Sequence, residues 1–210
     1  MPKIANVNVY ALAESIFRSG YPMLKTAPDE DEFRQTVAEI AAACDAGDYA
    51  NPHIKRAIQL ANAKGGGHDQ FLSGITVTFD LTVSQKAWVE AERYRFLTFI
   101  SSMSTMHRVA FFKIADSCNA YTDTAALATA EKLQQTYNET TDPAAKKEAY
   151  LNLLYNLPAG FELMAGMVTN YRCLRNIHEQ RRNHRLPDWQ VVCDWIEILP
   201  LARELLLPQN

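Results

Sequence analysis

The sequence has few cysteines, and they follow no metal-binding pattern. The four lie far apart, and no two of them form a C-x-x-C pair. Two histidines of the C-terminal half, His178 and His184, are six positions apart, a spacing that does not bring both rings to one helical face. We therefore predict no metal site and expect reduced core thiols at Cys44, Cys118, Cys173 and Cys193.

The sequence also lacks a long hydrophobic run. Polar residues interrupt every window of the first twenty positions, so no secretory h-region is recognisable, and no stretch is long enough to span a bilayer. No repeat of fixed period occurs, which excludes solenoids and propellers. We expect a cytoplasmic protein with no membrane partner.

Positive charge is not in excess either. The formal net charge is −3, and 48% hydrophobic with 21% charged residues is the composition of an ordinary soluble globular protein. With 210 residues the chain has the size of one domain, and we predict a single domain over 1–210.

The hydrophobic pattern predicts a small sheet and many helices, which is an α+β fold. Strict alternation predicts a strand over 74–83, Ser84 is suited to cap a helix over 85–95, and an apolar run predicts a second strand over 96–100, before a serine-rich turn. Gly65, Gly66 and Gly67 end the second of the predicted helices. Apolar residues that recur three and four positions apart predict helices over 29–46, 52–64, 124–137, 143–155, 158–181 and 188–199.

Against the acidic background, five arginines fall between positions 172 and 185, accompanied by Asn170 and Asn176. Guanidinium forks match phosphate or carboxylate oxygens, and amides bind carbonyls and ring nitrogens at fixed angles. The segment therefore predicts a site for a phosphorylated small molecule. A solvated arginine face is the alternative, and a nucleic-acid patch is disfavoured because no groove-reading module accompanies the arginines.

Three further segments carry candidate binding residues. Arg93-Tyr94-Arg95 sets two cations beside an aromatic ring, which suits a diphosphate and a stacked ring system, although ion pairs with nearby glutamates are the alternative. Met106-His107-Arg108 forms a second cluster after the serines, and His68 follows the glycines, where the backbone can approach a ligand.

Taken together, these blocks resemble the flavin-dependent thymidylate synthases. That family shows Gly-His before a Thr-Phe strand, an Arg-His-Arg motif, and Asn-x-Arg-x-x-x-Asn-x-x-x-x-Arg. This sequence has Gly67-His68 with Thr78-Phe79, then Arg93-Tyr94-Arg95, then Asn170 to Arg181 in the same order. The last pattern is the most specific, and the resemblance covers about 67–189.

The resemblance implies a twisted, mostly antiparallel sheet with a large helical layer, assembled as a homotetramer with active sites between subunits. It also implies FAD reduced by NADPH, and transfer of a one-carbon unit from methylenetetrahydrofolate to C5 of dUMP, giving dTMP, without a protein nucleophile. In this chemistry the flavin carries the reaction while the protein orients and polarises. The implied contacts to FAD are His68, Arg93, Tyr94, Arg95, Asn170, Arg172 and Asn176.

For the substrate, the resemblance implies a pyrimidine deoxynucleotide bound by Glu90, Ser104, Arg108 and Arg181, with Arg181 and Ser104 as the catalytic residues. Tyr94 replaces the middle histidine of the family motif, Glu90 stands where an amide is common, and Ser104 matches the family serine only after one inserted residue. Leu154 stands where the family has an arginine for the substrate phosphate.

These departures identify the sequence as a divergent member and leave two alternatives open. One is a related flavoenzyme that modifies C5 of another pyrimidine nucleotide. The other is a non-catalytic protein that binds flavin or nucleotide.

Overall fold

A computed structural model describes residues 2–63 and 67–207 of the chain. Gly65 and Gly66, to which the sequence analysis assigned a helix end, lie outside the described residues. Four strands form one antiparallel sheet in the order β1-β2-β4-β3. The strands are β1 (Lys3–Tyr10), β2 (Thr76–Ser84), β3 (Thr98–Ser102) and β4 (Glu162–Asn170).

Helices make up most of the rest of the described chain, as the α+β prediction requires. Short 3-10 turns occur at Tyr21–Met23, His68–Gly74, Val109–Phe111 and Ala115–Ser117. The α-helices are α1 (Leu12–Arg18), α2 (Glu30–Ala46), α3 (Pro52–Asn62), α4 (Gln85–Ala91), α5 (Thr105–Arg108), α6 (Thr124–Glu139), α7 (Pro143–Tyr155), α8 (Tyr171–Arg181), α9 (Pro187–Glu197) and α10 (Ala202–Leu205).

Side-chain caps fix where several helices begin. Asp29, Asp123 and Asp142 each accept a hydrogen bond from a backbone N–H in the first turn of α2, α6 and α7. Ser84 caps α4 in the same way, as the sequence predicts. At the other end of α2, Gly47 takes a left-handed conformation with φ 66° and closes the helix.

The chain divides into two compact units, which we call unit 1 and unit 2. Unit 1 consists of Met1–Ala5, Asp80–Arg93 and Phe99–Met167. Unit 2 consists of Asn6–Phe79, Tyr94–Thr98 and Val168–Asn210. Each unit has its own buried apolar residues: Val109, Ile114 and Leu153 in unit 1, and Ile54 and Leu174 among others in unit 2.

The predicted helix over 158–181 is wrong in its first half. Residues 162–170 form β4, and from Ala165 onward their burial alternates with a period of two: Ala165, Met167 and Thr169 are buried, while the residues between them are half-buried. The apolar residues of this segment also fit a helical spacing, which is why the sequence pattern predicted a helix. Helix α8 starts only at Tyr171, after Asn170.

Three other differences from the prediction concern α4 and two strands of the sheet. Helix α4 ends at Ala91, so Arg93-Tyr94-Arg95 follows the helix instead of ending it, and Tyr94 is buried. Strand β3 is shifted two residues toward the C-terminus, and all five of its residues are exposed at the edge of the sheet. Strand β1 was not predicted. Its residues do not alternate between buried and exposed, and Asn6 within it has a positive φ of 51°.

Candidate functional site

Helix α8 of unit 2 and its N-cap carry four of the eleven predicted site residues: Asn170, Arg172, Asn176 and Arg181. Its start is fixed by Asn170, whose side-chain oxygen accepts from the Cys173 backbone N–H at 2.9 Å. The face formed by Tyr171, Leu174 and Ile177 is buried. Arg172 and Asn176 are one turn apart and exposed, so they form a polar row along the opposite face.

Arg172 is held in place by the 3-10 turn that begins at His68. Its Nη1 donates to Gln70 Oε1 at 2.5 Å, and its Nη2 lies 3.3 Å from Asp69 Oδ1. The Arg172 side chain remains 43% exposed despite these contacts. His68 is exposed next to them in the same turn, so His68 and Arg172 belong to one polar surface of unit 2.

Arg181 occupies a very different environment at the end of α8. It is only 5% exposed, and its guanidinium carbon lies 4.6 Å from the Trp189 ring centroid and 5.6 Å from that of Tyr94. Its Nε donates to the Tyr94 hydroxyl at 2.8 Å. The same hydroxyl donates to Gln180 Oε1 at 3.2 Å. The structure therefore brings two predicted residues, Tyr94 and Arg181, into direct contact.

The other arginines of α8 and its end are engaged with protein groups. Arg175 donates to the backbone carbonyl of Ala61 and lies 3.5 Å from Glu179. Arg182 lies 2.5 Å from Asp194 and 3.3 Å from Glu197. The arginine-rich segment is thus not one continuous ligand patch, since part of it ties α8 to neighbouring elements.

The two arginines beside Tyr94 are both exposed. Arg95 belongs to unit 2, and its guanidinium carbon lies 5.7 Å from the Phe96 ring centroid. Arg93 belongs to unit 1.

The remaining predicted residues lie in unit 1. Glu90 is ion-paired with Lys86 at 2.9 Å. Ser104 Oγ and His107 Nδ1 are 2.8 Å apart, and the Arg108 guanidinium carbon lies 5.9 Å from the Phe111 ring centroid. Ser104 and Arg108 therefore share one short segment, whereas Glu90 lies on α4.

Three residues of these clusters were not predicted: Asp69 and Gln70 hold Arg172, and Trp189 packs against Arg181. His107 was noted as part of the Met106-His107-Arg108 cluster, but its contact with Ser104, three positions earlier at the start of a helix, was not predicted. The contact of Trp189 has no local signal, since it joins residues on two helices.

Burial disfavours the two innermost cysteines as nucleophiles. Desolvation raises the pKa of Cys193 to about 11. It also raises the pKa of Cys173. Both groups are therefore neutral thiols near pH 7 and not thiolates. Within the described residues, no three His, Cys, Asp or Glu side chains cluster as metal ligands would.

No helix of the described chain combines the length and apolarity needed to cross a bilayer.

Comparisons with known proteins find similarity at the level of structure. No family model matches the sequence, and no curated protein matches it. Two solved structures of flavin-dependent thymidylate synthase ThyX from Helicobacter pylori, both with FAD and dUMP, share the fold. One covers 98% of this chain and 97% of its own, with a TM-score of 0.58 and 13% identity. The other covers 80% and 91%, with a TM-score of 0.56 and 15% identity.

Proposed function

We propose that this chain is a flavin-dependent enzyme of the thymidylate synthase type, which methylates dUMP to dTMP. The observation that carries the proposal is the shared fold, which extends over 98% of the chain in one comparison with a ThyX structure. The sequence motifs agree with it, because the residues that carry the resemblance fall at the start of α8, at Tyr94 and in the turn at His68. Methylenetetrahydrofolate is the proposed one-carbon donor and NADPH the proposed reductant.

The polar surface of unit 2 fits the chemistry of FAD. Arg172 and Arg95 supply cations for a diphosphate, Asn170 and Asn176 supply amides for flavin carbonyls, and His68 supplies a ring donor. Arg93, which lies in unit 1, is the further proposed cation. When bound, the flavin supplies hydride chemistry, and these side chains hold and orient it.

Tyr94 is proposed to act indirectly. The Tyr94 residue is 5% exposed, and its hydroxyl is hydrogen-bonded to Arg181 and Gln180. We therefore propose that this buried hydroxyl holds the Arg181 side chain in position. Arg181 is the proposed group that polarises the pyrimidine, because a guanidinium in an apolar setting acts more strongly than one in water. Ser104, Arg108 and Glu90 are the proposed substrate contacts of unit 1.

We further propose that the chain functions as a single domain and assembles as a cytoplasmic homotetramer with active sites shared between subunits. Exposed residues of both units would then be available to a second copy.

A direct assay tests the proposed activity. Purified protein loaded with FAD is incubated anaerobically with dUMP, methylenetetrahydrofolate and NADPH, and dTMP is quantified by mass spectrometry. We expect dTMP formation that requires all three additions and the bound FAD, and bleaching of the flavin when NADPH alone is added. If no dTMP forms but the protein converts another pyrimidine nucleotide, that nucleotide is the substrate and dUMP is not.

One observation favours a second candidate function, a non-catalytic protein that binds flavin or nucleotide. Arg181 is buried against Tyr94 and Trp189, so its cation already contributes to packing within unit 2. A preparation whose bound FAD is bleached by dithionite but not by NADPH, and that forms no product from dUMP or another pyrimidine nucleotide, would establish this candidate instead.

A further inference from the structure

A relay of four hydrogen-bonded side chains leads from buried Arg181 to the surface of unit 2. Arg181 Nε donates to the Tyr94 hydroxyl at 2.8 Å, and that hydroxyl donates to Gln180 Oε1 at 3.2 Å. Gln180 Nε2 in turn donates to Asn176 Oδ1 at 2.8 Å. Gln180 and Asn176 are one turn apart on α8, and both are exposed. The relay therefore ends on the polar row that Asn176 forms with Arg172.

The direction of each hydrogen bond in the relay is set by its buried end. A guanidinium in a protein carries only N–H donors, so the Tyr94 hydroxyl has to accept from Arg181. The single proton of that hydroxyl is then left to donate, and Gln180 has to offer its carbonyl oxygen to it. The amide nitrogen of Gln180 consequently faces Asn176, which accepts with its own oxygen. Each of the two amides is thus held in one of its two possible orientations.

Aromatic packing holds the buried end of the relay in place. The Arg181 guanidinium carbon lies within 6 Å of the ring centroids of both Trp189 and Tyr94. The two rings themselves meet edge to face, with their centroids 5.8 Å apart. A cation in contact with two aromatic rings and shielded from water has few alternative positions. The orientation imposed by Arg181 is therefore maintained up to the exposed amide of Asn176.

The exposed end of the relay presents a donor to a ligand. Because Asn176 Oδ1 accepts from Gln180, the Nδ2 group with its two N–H donors is left for a ligand atom. A carbonyl oxygen of a flavin ring matches such a donor, whereas a ring N–H does not. We propose that Gln180 is a positioning residue, which fixes the Asn176 amide as a donor toward a carbonyl oxygen of the bound flavin. Gln180 stands at an unspecified position of the motif that ends at Arg181, and this inference rests on the proposed function.

Titration of the flavin-free full chain with FAD, followed by flavin fluorescence, tests the inference. Gln180→Met keeps the length of the side chain and its helix propensity but removes both hydrogen bonds of the amide. We expect the affinity for FAD to fall about 3- to 10-fold, which corresponds to the net contribution of one hydrogen bond. The matched control is Gln35→Met in α2, where an exposed glutamine donates to Glu39 four positions later at 3.1 Å. The control should bind FAD as the wild type does.

A second set of variants tests the orientation of the Asn176 amide itself. Gln180→Glu still accepts from the Tyr94 hydroxyl but has no N–H to donate, so the Asn176 amide should turn over and present Oδ1 outward. In the wild-type background, Asn176→Ala should weaken FAD binding about 3- to 10-fold. In the Gln180→Glu background, the same replacement should strengthen FAD binding, because it removes an oxygen that faces the flavin carbonyl.

The comparison within the Gln180→Glu background leaves the added negative charge unchanged, so that charge does not affect the result. A purely structural role for Gln180 predicts no change of sign between the two backgrounds. Weaker FAD binding on Asn176→Ala in both backgrounds would overturn the inference.

The outcomes also distinguish this inference from the proposed function. If the wild-type chain binds no FAD, the proposed function fails and the inference with it. If the wild-type chain binds FAD and forms dTMP, and Gln180→Met binds FAD equally well, only the inference is wrong. If the sign changes as expected but the wild-type chain forms no dTMP, the inference holds and the proposed methylation is wrong.

Discussion

Arg172 and Arg181 show how differently one helix can use the same residue type. They are separated by about two and a half helical turns, yet Arg172 is exposed beside Asp69 and Gln70, whereas Arg181 is buried against Tyr94 and Trp189. The run of arginines in the sequence suggested one anion patch. The structure separates that run into exposed Arg172 and Arg185, buried Arg181, and Arg175 and Arg182, which contact carboxylates of unit 2.

Replacement of Tyr94 with phenylalanine is expected to destabilise the protein by about 1–3 kcal/mol. The change keeps the ring but removes the hydroxyl that accepts from Arg181 and donates to Gln180, so a buried guanidinium loses a partner. Urea unfolding measures the change in the free energy of unfolding. Tyr155→Phe is the control, because that ring is 82% exposed and should tolerate the change within about 0.5 kcal/mol. Equal stability of the two variants would contradict the positioning role of Tyr94.

At the scale of elements, the starts of several capped helices were predictable, whereas α1, α5, α10 and the strand before α8 were not predicted. Asp29, Asp142 and Ser84 are cap residues directly before helices, and a local pattern suffices to find them. The segment that forms β4 contains apolar residues that fit both the spacing of a helix and the alternation of a strand. Its pairing with β2 and β3 decides between the two, and that long-range information is absent from a local pattern.

The cap of α8 gives a prediction at this scale. Asn170→Ala should cost about 1 kcal/mol of stability and should also lower FAD retention, because the first turn of α8 positions Arg172. The matched variant is Asp142→Ala, which removes the cap of α7 and should cost a similar free energy without affecting FAD. Denaturant titration measures stability, and the flavin absorbance that remains after desalting measures retention. If both variants retain FAD equally, the cap of α8 has no part in binding it.

For the whole molecule, the fold class was predicted well and the site only in part. The α+β architecture and the resemblance to the thymidylate synthase fold are confirmed by the sheet, the helices and the comparisons. The contact between Tyr94 and Arg181 spans 87 positions, and a linear pattern indicates that both residues matter without showing that they touch. The prediction of a single domain stays a prediction, as does each assigned residue role.

The four cysteines are predicted to react in two groups. Desolvation raises the pKa of all four thiols, so reagent access decides the order in which they react. Cys173 and Cys193 are buried, whereas Cys44 and Cys118 are half-buried and should react first with a disulfide reagent monitored by absorbance. A variant with alanine at both buried positions should retain the fast phase and lose the slow one. Simultaneous reaction of all four thiols in the native protein would show that the core opens readily.

Strand β3 has a practical consequence for handling the protein. It lies at the edge of the sheet, and all five of its residues are exposed, with Phe99 at 47% and Ile100 at 63%. An uncovered strand at a sheet margin is a template for pairing with other chains. Concentrated stocks should therefore turn turbid on storage unless another surface shields this strand, and a lysine at Ile100 should extend their shelf life.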